Sequence, residues 1–166
     1  MAISVIMSVY NERPEQVQQA VDSILKQTYL PMEFVIVLDN PERSDLKELL
    51  MNYDNRVEMI KLVCNHQNLG LAASLNKAIE LSNCELIARM DADDISATKR
   101  LEVELEALKT RGLDLISGNI AYLDEHGEVV GEKSAIPEAE RLIQKILPYG
   151  STIIHPTVLM RKTAVQ

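Results

Sequence analysis

The sequence contains no tryptophan and a single phenylalanine. A platform of aromatic rings for stacking bases or sugars is therefore not expected. Cysteine is scarce as well. The two present, Cys64 and Cys84, sit in apolar surroundings and match no metal-ligand spacing. They read as core thiols in a reducing compartment rather than a disulfide framework. No apolar run approaches the roughly 20 residues of a membrane span, and no basic leader precedes the first apolar run. Internal repeats, low-complexity tracts and linkers are also missing. Basic charge is in deficit: 17 Lys and Arg against 25 Asp and Glu give a formal net charge of −8. That balance argues against a nucleic-acid backbone as partner. It leaves room for a nucleotide sugar, because a bound metal ion locally inverts the field.

What is present is the material of one α/β domain spanning residues 1–166. Ile3 to Val9 is a β-branched run suited to a strand buried on both faces. Pro14 suits a first helical position, and Val17, Ala20, Val21, Ile24 and Leu25 follow helical spacing. Glu33 to Leu38 reads as a second buried strand ending on Asp39-Asn40-Pro41. Ser44 is placed to cap a helix that presents Leu46, Leu49 and Leu50. Val57 to Val63 reads as a third strand. Asn65-His66-Gln67-Asn68-Leu69-Gly70 is a polar loop, followed by a helix carrying Leu71, Leu75, Ala78 and Ile79. A fourth strand, Glu85 to Met90, runs into Asp91. Such alternation predicts a mostly parallel sheet flanked by helices, and ligands then sit at the carboxyl ends of the strands.

Further on, a helix is expected over Thr98 to Arg111, stopped by Gly112. Glu102, Glu104 and Glu106 read as its wet face. An antiparallel hairpin is expected near 113–135, with strands Leu113 to Leu123 and Glu128 to Ala135 around Asp124-Glu125-His126-Gly127. Pro137 opens a helix holding Leu142, Ile143, Ile146 and Leu147. Ser151 to Met160 reads as a last strand, interrupted by His155-Pro156.

The chemically loaded stretch is Ile87-Ala88-Arg89-Met90-Asp91-Ala92-Asp93-Asp94. Three carboxylates within four residues repel one another and raise each other's pKa. A divalent ion with oxygen ligands, Mg²⁺ or Mn²⁺, relieves that repulsion and keeps positions open for substrate phosphates. The plainer alternative is an acidic turn in which Asp94 or Ser96 caps the helix that follows. His155 reads as a half-buried strand histidine, His66 and His126 as solvated loop residues.

Ser4-Val5-Ile6-Met7-Ser8-Val9-Tyr10-Asn11-Glu12, the Asp39 strand end, Asn68-Leu69-Gly70 with Asn76, and Met90-Asp91-Ala92-Asp93-Asp94 resemble, in this order, the motifs of family 2 glycosyltransferases. The resemblance is nearest to bacterial members that build capsular, exopolysaccharide or lipopolysaccharide glycans. It implies a GT-A fold and inverting transfer from a nucleotide-diphosphate sugar, a UDP-sugar first, to a glycan or lipid-linked acceptor, with Mn or Mg as cofactor. It places the protein in the cytoplasm at the inner face of the membrane, with peripheral membrane association of a longer protein. Carried over by position, Ser8, Val9, Tyr10 and Glu12 line the base and ribose pocket, and Asp39 accepts a hydrogen bond from a uracil-type ring. Asn68, Gly70, Asn76 and Ala92 join the nucleotide-sugar site. Asp91 binds ribose or the metal shell, and Asp93 holds the metal on the diphosphate.

Two departures from the family pattern stand out. Leu75 occupies a place where the family often has arginine, which leaves Arg89 or Lys77 to supply that phosphate contact. The family's catalytic base, a carboxylate of a Glu-Asp motif beyond a segment like His155-Pro156-Thr157-Val158, is expected after Gln166. The apolar residues Ile153, Ile154, Val158 and Leu159 are then expected to be exposed and to favour a dimer. The rival readings are a non-catalytic nucleotide-sugar-binding or assembly subunit, an Asp-x-Asp phosphotransferase and a doubly wound signalling domain. The last two draw on acidic groups at the first strand, where this chain offers Asn11 and Glu12.

Overall fold

The computed structural model of the chain describes residues 1–124, 126–132, Lys145, Pro148 and 153–165. All seven residues of strand β1, Ile3–Val9, are buried, which requires cover on both faces of its sheet. β2 (Glu33–Leu38) and β4 (Leu86–Asp91) pair with β1 on either side, both parallel. β3 (Ile60–Cys64) extends the sheet in parallel beyond β2. On the other flank β8 (Val158–Arg161) pairs antiparallel with β4, and β5 (Leu115–Ser117) pairs antiparallel with β8. The six-stranded order is β3-β2-β1-β4-β8-β5. A separate hairpin joins β6 (Ala121–Leu123) to β7 (Val129–Glu132).

Alternation along each strand sorts side chains onto two faces. One face carries Val5, Met7, Phe34, Ile36, Leu86, Ala88 and Met90, packed with buried residues of α1 (Pro14–Leu25), α2 (Ser44–Asp54) and α4 (Arg100–Arg111). The other carries Ile6, Val35, Val37 and Ile87 and packs against Leu75, Ala78 and Ile79 of α3 (Leu71–Leu81). Cys84 is buried, Cys64 half-buried, and both are free thiols. Among the described residues no helix is long and apolar enough to cross a membrane.

Several local expectations are corrected. β3 starts at Ile60 rather than Val57, because residues 57–59 form a turn in which Ile60 N–H donates to the Val57 carbonyl at 2.9 Å. Ser44 is the first residue of α2, not its cap; Arg43 holds the cap position. α4 begins at Arg100, and its end is as expected, with Gly112 in the left-handed region at φ 62°. The single long strand Leu113 to Leu123 is two short ones, split after Ser117. There the hydroxyl of Thr157 accepts the Gly118 N–H at 2.9 Å and draws the chain toward β8. The expected last strand begins only at Val158, after a 3-10 turn at His155–Thr157. The helix expected after Pro137 lies outside the described residues. Ile154, Val158 and Leu159 are buried rather than exposed, since β8 is an internal strand, and Ile153 packs against the second core. Four of the exposed large apolar residues, Tyr122, Leu123, Val129 and Val130, lie together on the hairpin instead.

Glu104 is the main exception to the reading of α4. It is 5% exposed, not solvated, and shares the helix face of Leu101, Leu105 and Leu108. Arg100 donates to it through Nε at 3.0 Å and donates through Nη2 to the Arg89 carbonyl at 2.9 Å, which fastens α4 to β4. The other oxygen, Oε2, is buried without a hydrogen-bond partner among the described residues. Burial pushes the carboxyl up to about 7 against the pull of Arg100.

A pKa raised on folding means that the native state holds the proton more tightly than the unfolded chain. The associated stabilisation is complete below about 4.5 and is lost as pH rises through about 7. Urea denaturation should show stability falling by roughly 1–3 kcal/mol between pH 5 and pH 8, and Glu104→Gln should remove most of that slope.

Candidate functional site

Parallel pairing puts the carboxyl ends of β1 to β4 on one edge of the sheet. Antiparallel β8 brings its leading turn, His155–Thr157, to the same edge. The loops that leave Val9, Leu38, Cys64 and Asp91 therefore converge, and they carry nearly every residue singled out above.

Asp39 is 2% exposed and organises the loop that leaves Cys64. Its Oδ1 accepts the Asn65 amide at 2.7 Å and the Leu69 N–H at 2.8 Å, and its Oδ2 accepts the Gly70 N–H at 2.8 Å. Burial drives this carboxyl up, but the Leu69 N–H, the Asn65 and Ser74 side chains and the Gly70 N–H outweigh it and hold it below its usual range. Oδ2 keeps a lone pair for a ligand N–H. Gly70 stands at the N-cap of α3 with φ 84°, a conformation that favours glycine, and its N–H is shared with Asn68 Oδ1 at 2.8 Å. Asn65 also donates to Ser74 at 3.0 Å, and its carbonyl oxygen accepts Lys77 Nζ at 2.7 Å. Asn76 lies exposed in the second turn of α3.

Ser8 stands beside Asp91 in the β1–β4 register. Tyr10 is exposed, and its N–H donates to Glu12 Oε2 at 2.7 Å. Arg43 clamps this loop to α2: it donates to Asn11 Oδ1 at 2.9 Å, to the Glu12 carbonyl at 3.0 Å and to both oxygens of Asp45. The side chains of Val9 and Ala92 point into the core, so only their main chain can meet a ligand.

Asp91 accepts Arg89 Nη2 at 2.8 Å. Burial pushes its carboxyl up, Asp93 and Glu12 add to that, and Arg89 and His155 oppose it. Asp94 is pushed up by burial and then by Asp93 and Asp91. Asp93 and Asp94 are exposed. Among the described residues no three His, Cys, Asp or Glu side chains form a closed metal-ligand set. The edge nevertheless suits a hard divalent ion: it offers carboxylate oxygens whose mutual repulsion a cation relieves, and phosphate oxygens complete such a shell. Lys77 and Arg89, the two candidates for a missing phosphate contact, are already bonded to Asn65 and Asp91. A hollow of about 650 Å³ lies at the opposite edge, lined by Glu33, Asn83 and Cys84 among others. Ser4 and Asn83 already bind its Glu33, so convergent chemistry, not volume, marks the site.

Sequence reasoning missed Arg43 and the role of Asn65. Both act through contacts between distant segments, which leave no periodic trace. The one local signal was their position, each just past a strand that ends at the loaded edge.

The family model described as glycosyl transferase family 2 matches residues 4–166. The O-antigen biosynthesis glycosyltransferase WbnJ of Escherichia coli is 32% identical over 166 residues, covering 98% of this chain and 63% of its own length. Other curated relatives are spanned over about half of their length. Among solved structures, residues 1–349 of Staphylococcus aureus TarS superpose with a TM-score of 0.73 at 24% identity, over 99% of this chain and 48% of that one. The mannosyltransferase PcManGT of Pyrobaculum calidifontis, in complex with GDP-Man and Mn²⁺, gives a TM-score of 0.61 at 23% identity, over 69% of this chain and 34% of that one. The shared fold is the GT-A fold.

Asp39→Asn presents an amide nitrogen to a donor already committed to this site. It should destabilise the chain by roughly 2–4 kcal/mol and speed amide exchange at Leu69 and Gly70 before it affects β1. Hydrogen exchange read residue by residue checks both effects.

Proposed function

The chain belongs to glycosyl transferase family 2, and from that premise we propose that it binds a nucleotide-diphosphate sugar, a UDP-sugar first, at the carboxyl edge of its sheet. The full protein transfers that sugar with inversion to a growing glycan or lipid-linked acceptor of a surface polysaccharide. The carrying observation is the convergence at one edge of a carboxylate-organised loop, Asp39 with residues 65–70, and an acidic motif, Asp91 to Asp94. WbnJ, named for O-antigen biosynthesis, supports the product class. PcManGT bound to GDP-Man and Mn²⁺, and TarS bound to UDP, support the donor class.

In this reading Asp39 takes a ring N–H of the base on Oδ2, while Ser8, Tyr10 and Glu12 border the base and ribose, and Asn68, Gly70 and Asn76 join the nucleotide-sugar site. Asp93, with Asp91, holds the divalent ion, which when bound neutralises charge on the leaving diphosphate. Arg89 fixes one oxygen of Asp91 and leaves the other free toward the ligand. These groups are set before the donor arrives, so no reorganisation accompanies charge development. Of the three carboxylates of the acidic motif, Asp94 alone is left without a role toward the donor. An inverting transfer also needs a base for the acceptor hydroxyl, and we assign that base to the longer protein.

Titration calorimetry with UDP should show binding that strengthens when Mn²⁺ is present. Asp93→Ala should abolish the metal-dependent part alone. A radiolabelled-donor assay should find transfer by this chain slower than by the full protein by about 10²–10⁴-fold, the usual contribution of a general base. Robust transfer that Asp94→Asn abolishes would move the base to Asp94. No transfer by the full protein either would favour a non-catalytic binding subunit.

A further inference from the structure

Asp93 and Asp94 hang on the connection from β4 to α4, and a loop presents a ligand well only when other groups hold it. One end of this loop is fixed by the sheet, since Asp91 is in register with Ser8 and Ala92 is buried. The other end is fixed by residues that the donor reading does not use. Gln27, just past the end of α1, is 4% exposed. Its amide nitrogen reaches the Ala97 carbonyl at 2.8 Å, the Ser23 carbonyl at 3.1 Å and Ser96 Oγ at 3.2 Å. Its amide oxygen accepts the Leu101 N–H at 3.1 Å. α4 has no side-chain cap of its own, so Gln27 caps it from beyond the end of α1. Ser23 completes the grip: its hydroxyl donates to the Ala20 carbonyl at 2.7 Å and accepts the Ser96 N–H at 3.0 Å. Ser96 is thus held through both its backbone and its side chain.

Between the two fixed points, Ala92 and Ser96, only Asp93, Asp94 and Ile95 are exposed. The span is short, and the Asp94 N–H turns back onto the Asp91 carbonyl at 3.3 Å. A span this short, anchored at both ends, has little freedom left for the direction in which its carboxylates point. We propose that Ser23 and Gln27 are positioning residues for the acidic motif: by holding Ser96, they set the presentation of Asp93 to the metal–diphosphate. This inference rests on the donor-site reading and deepens it. It separates two contributions to nucleotide binding. The Asp39 loop is anchored on β2 and α3 and does not touch the clamp, whereas the acidic loop depends on it.

The test compares Ser23→Ala and Gln27→Met with Tyr53→Phe, which removes the 2.7 Å Tyr53–Asp22 bond between α2 and α1 and leaves the clamp intact. UDP is titrated with and without Mn²⁺, and hydrogen exchange is followed over residues 92–99. Groups that orient metal ligands from behind typically contribute roughly 10–100-fold in metal affinity. The two clamp variants should therefore lose at least about 10-fold of the Mn²⁺-dependent gain, keep the metal-free UDP affinity of the wild type, and exchange faster over 92–99. Tyr53→Phe should keep all three. Ser23→Ala removes one hydroxyl, the donor to Ala20 and the acceptor of Ser96, with little change of bulk, so it reports even where Gln27→Met fails to fold. Clamp variants that retain the full Mn²⁺ gain overturn the inference. So does an equal loss in both arms, which marks the clamp as general stabilisation. A wild-type chain that gains nothing from Mn²⁺ overturns the donor-site reading and this inference together.

Discussion

Parallel pairing is the constraint from which the rest of the molecule follows. β1 is flanked by β2 and β4 in the same direction, so each connection has to cross a face of the sheet and each strand has to end at the same edge. The crossings supply α1, α2 and α3, whose apolar sides bury both faces of β1. The shared edge then collects the loops that leave β1 to β4. Loops are where polar backbone goes unpaired and side chains are free for chemistry. Convergence of the Tyr10, Asp39, Asn65 and Asp91 loops is thus a product of topology, and the sequence only had to place polar residues there.

That edge is built with more negative than positive charge, and three of its described cations are already committed. Arg43 binds Asp45 and the first loop, Lys77 binds Asn65, and Arg89 binds Asp91. Each holds a loop or a carboxylate in place and leaves Asp93 and Asp94 unneutralised. Asp39 and Asp91 show two outcomes for the same residue type. Backbone N–H groups surround the first and favour its charge. The second is set among other acids in a partly buried place and is pushed toward its proton. The first is charged and ties a loop together, and the second is an acid crowded by other acids.

The first four strands and the four helices were legible because burial on one side or both imposes a period on the residues. Pro14, Gly70 and Gly112 marked boundaries for reasons of backbone geometry alone. The edge was legible too, since acidic residues at strand ends break the apolar pattern. What stayed hidden depends on contacts across the chain. The direction of β8 follows from partners about seventy residues apart, Ala88 and Leu159. The break after Ser117 follows from the grip of Thr157 on Gly118. Glu104 reads as solvated on its charge, although its spacing from Leu101 and Leu108 places it inward. Gln27 lies past a helix end, and nothing nearby in the sequence shows that it caps α4.

The insertion of β8 between β4 and β5 also bears on how the chain reaches its native state. β4 is complete once Asp91 has been made, yet the strand that covers its outer edge ends at Arg161. Ribosomal synthesis at roughly 5–20 residues per second leaves that interval open for several seconds. During it, Leu86, Ile87 and Ala88 offer an unpaired backbone edge flanked by apolar side chains, a surface on which another chain can add a strand. Closure by β8 is a long-range step, as is the pairing of Ile3 with Leu86, and it comes last because its residues are made last. The antiparallel strand that brings His155 to the acidic edge thus also takes the open edge of β4 out of reach of other chains.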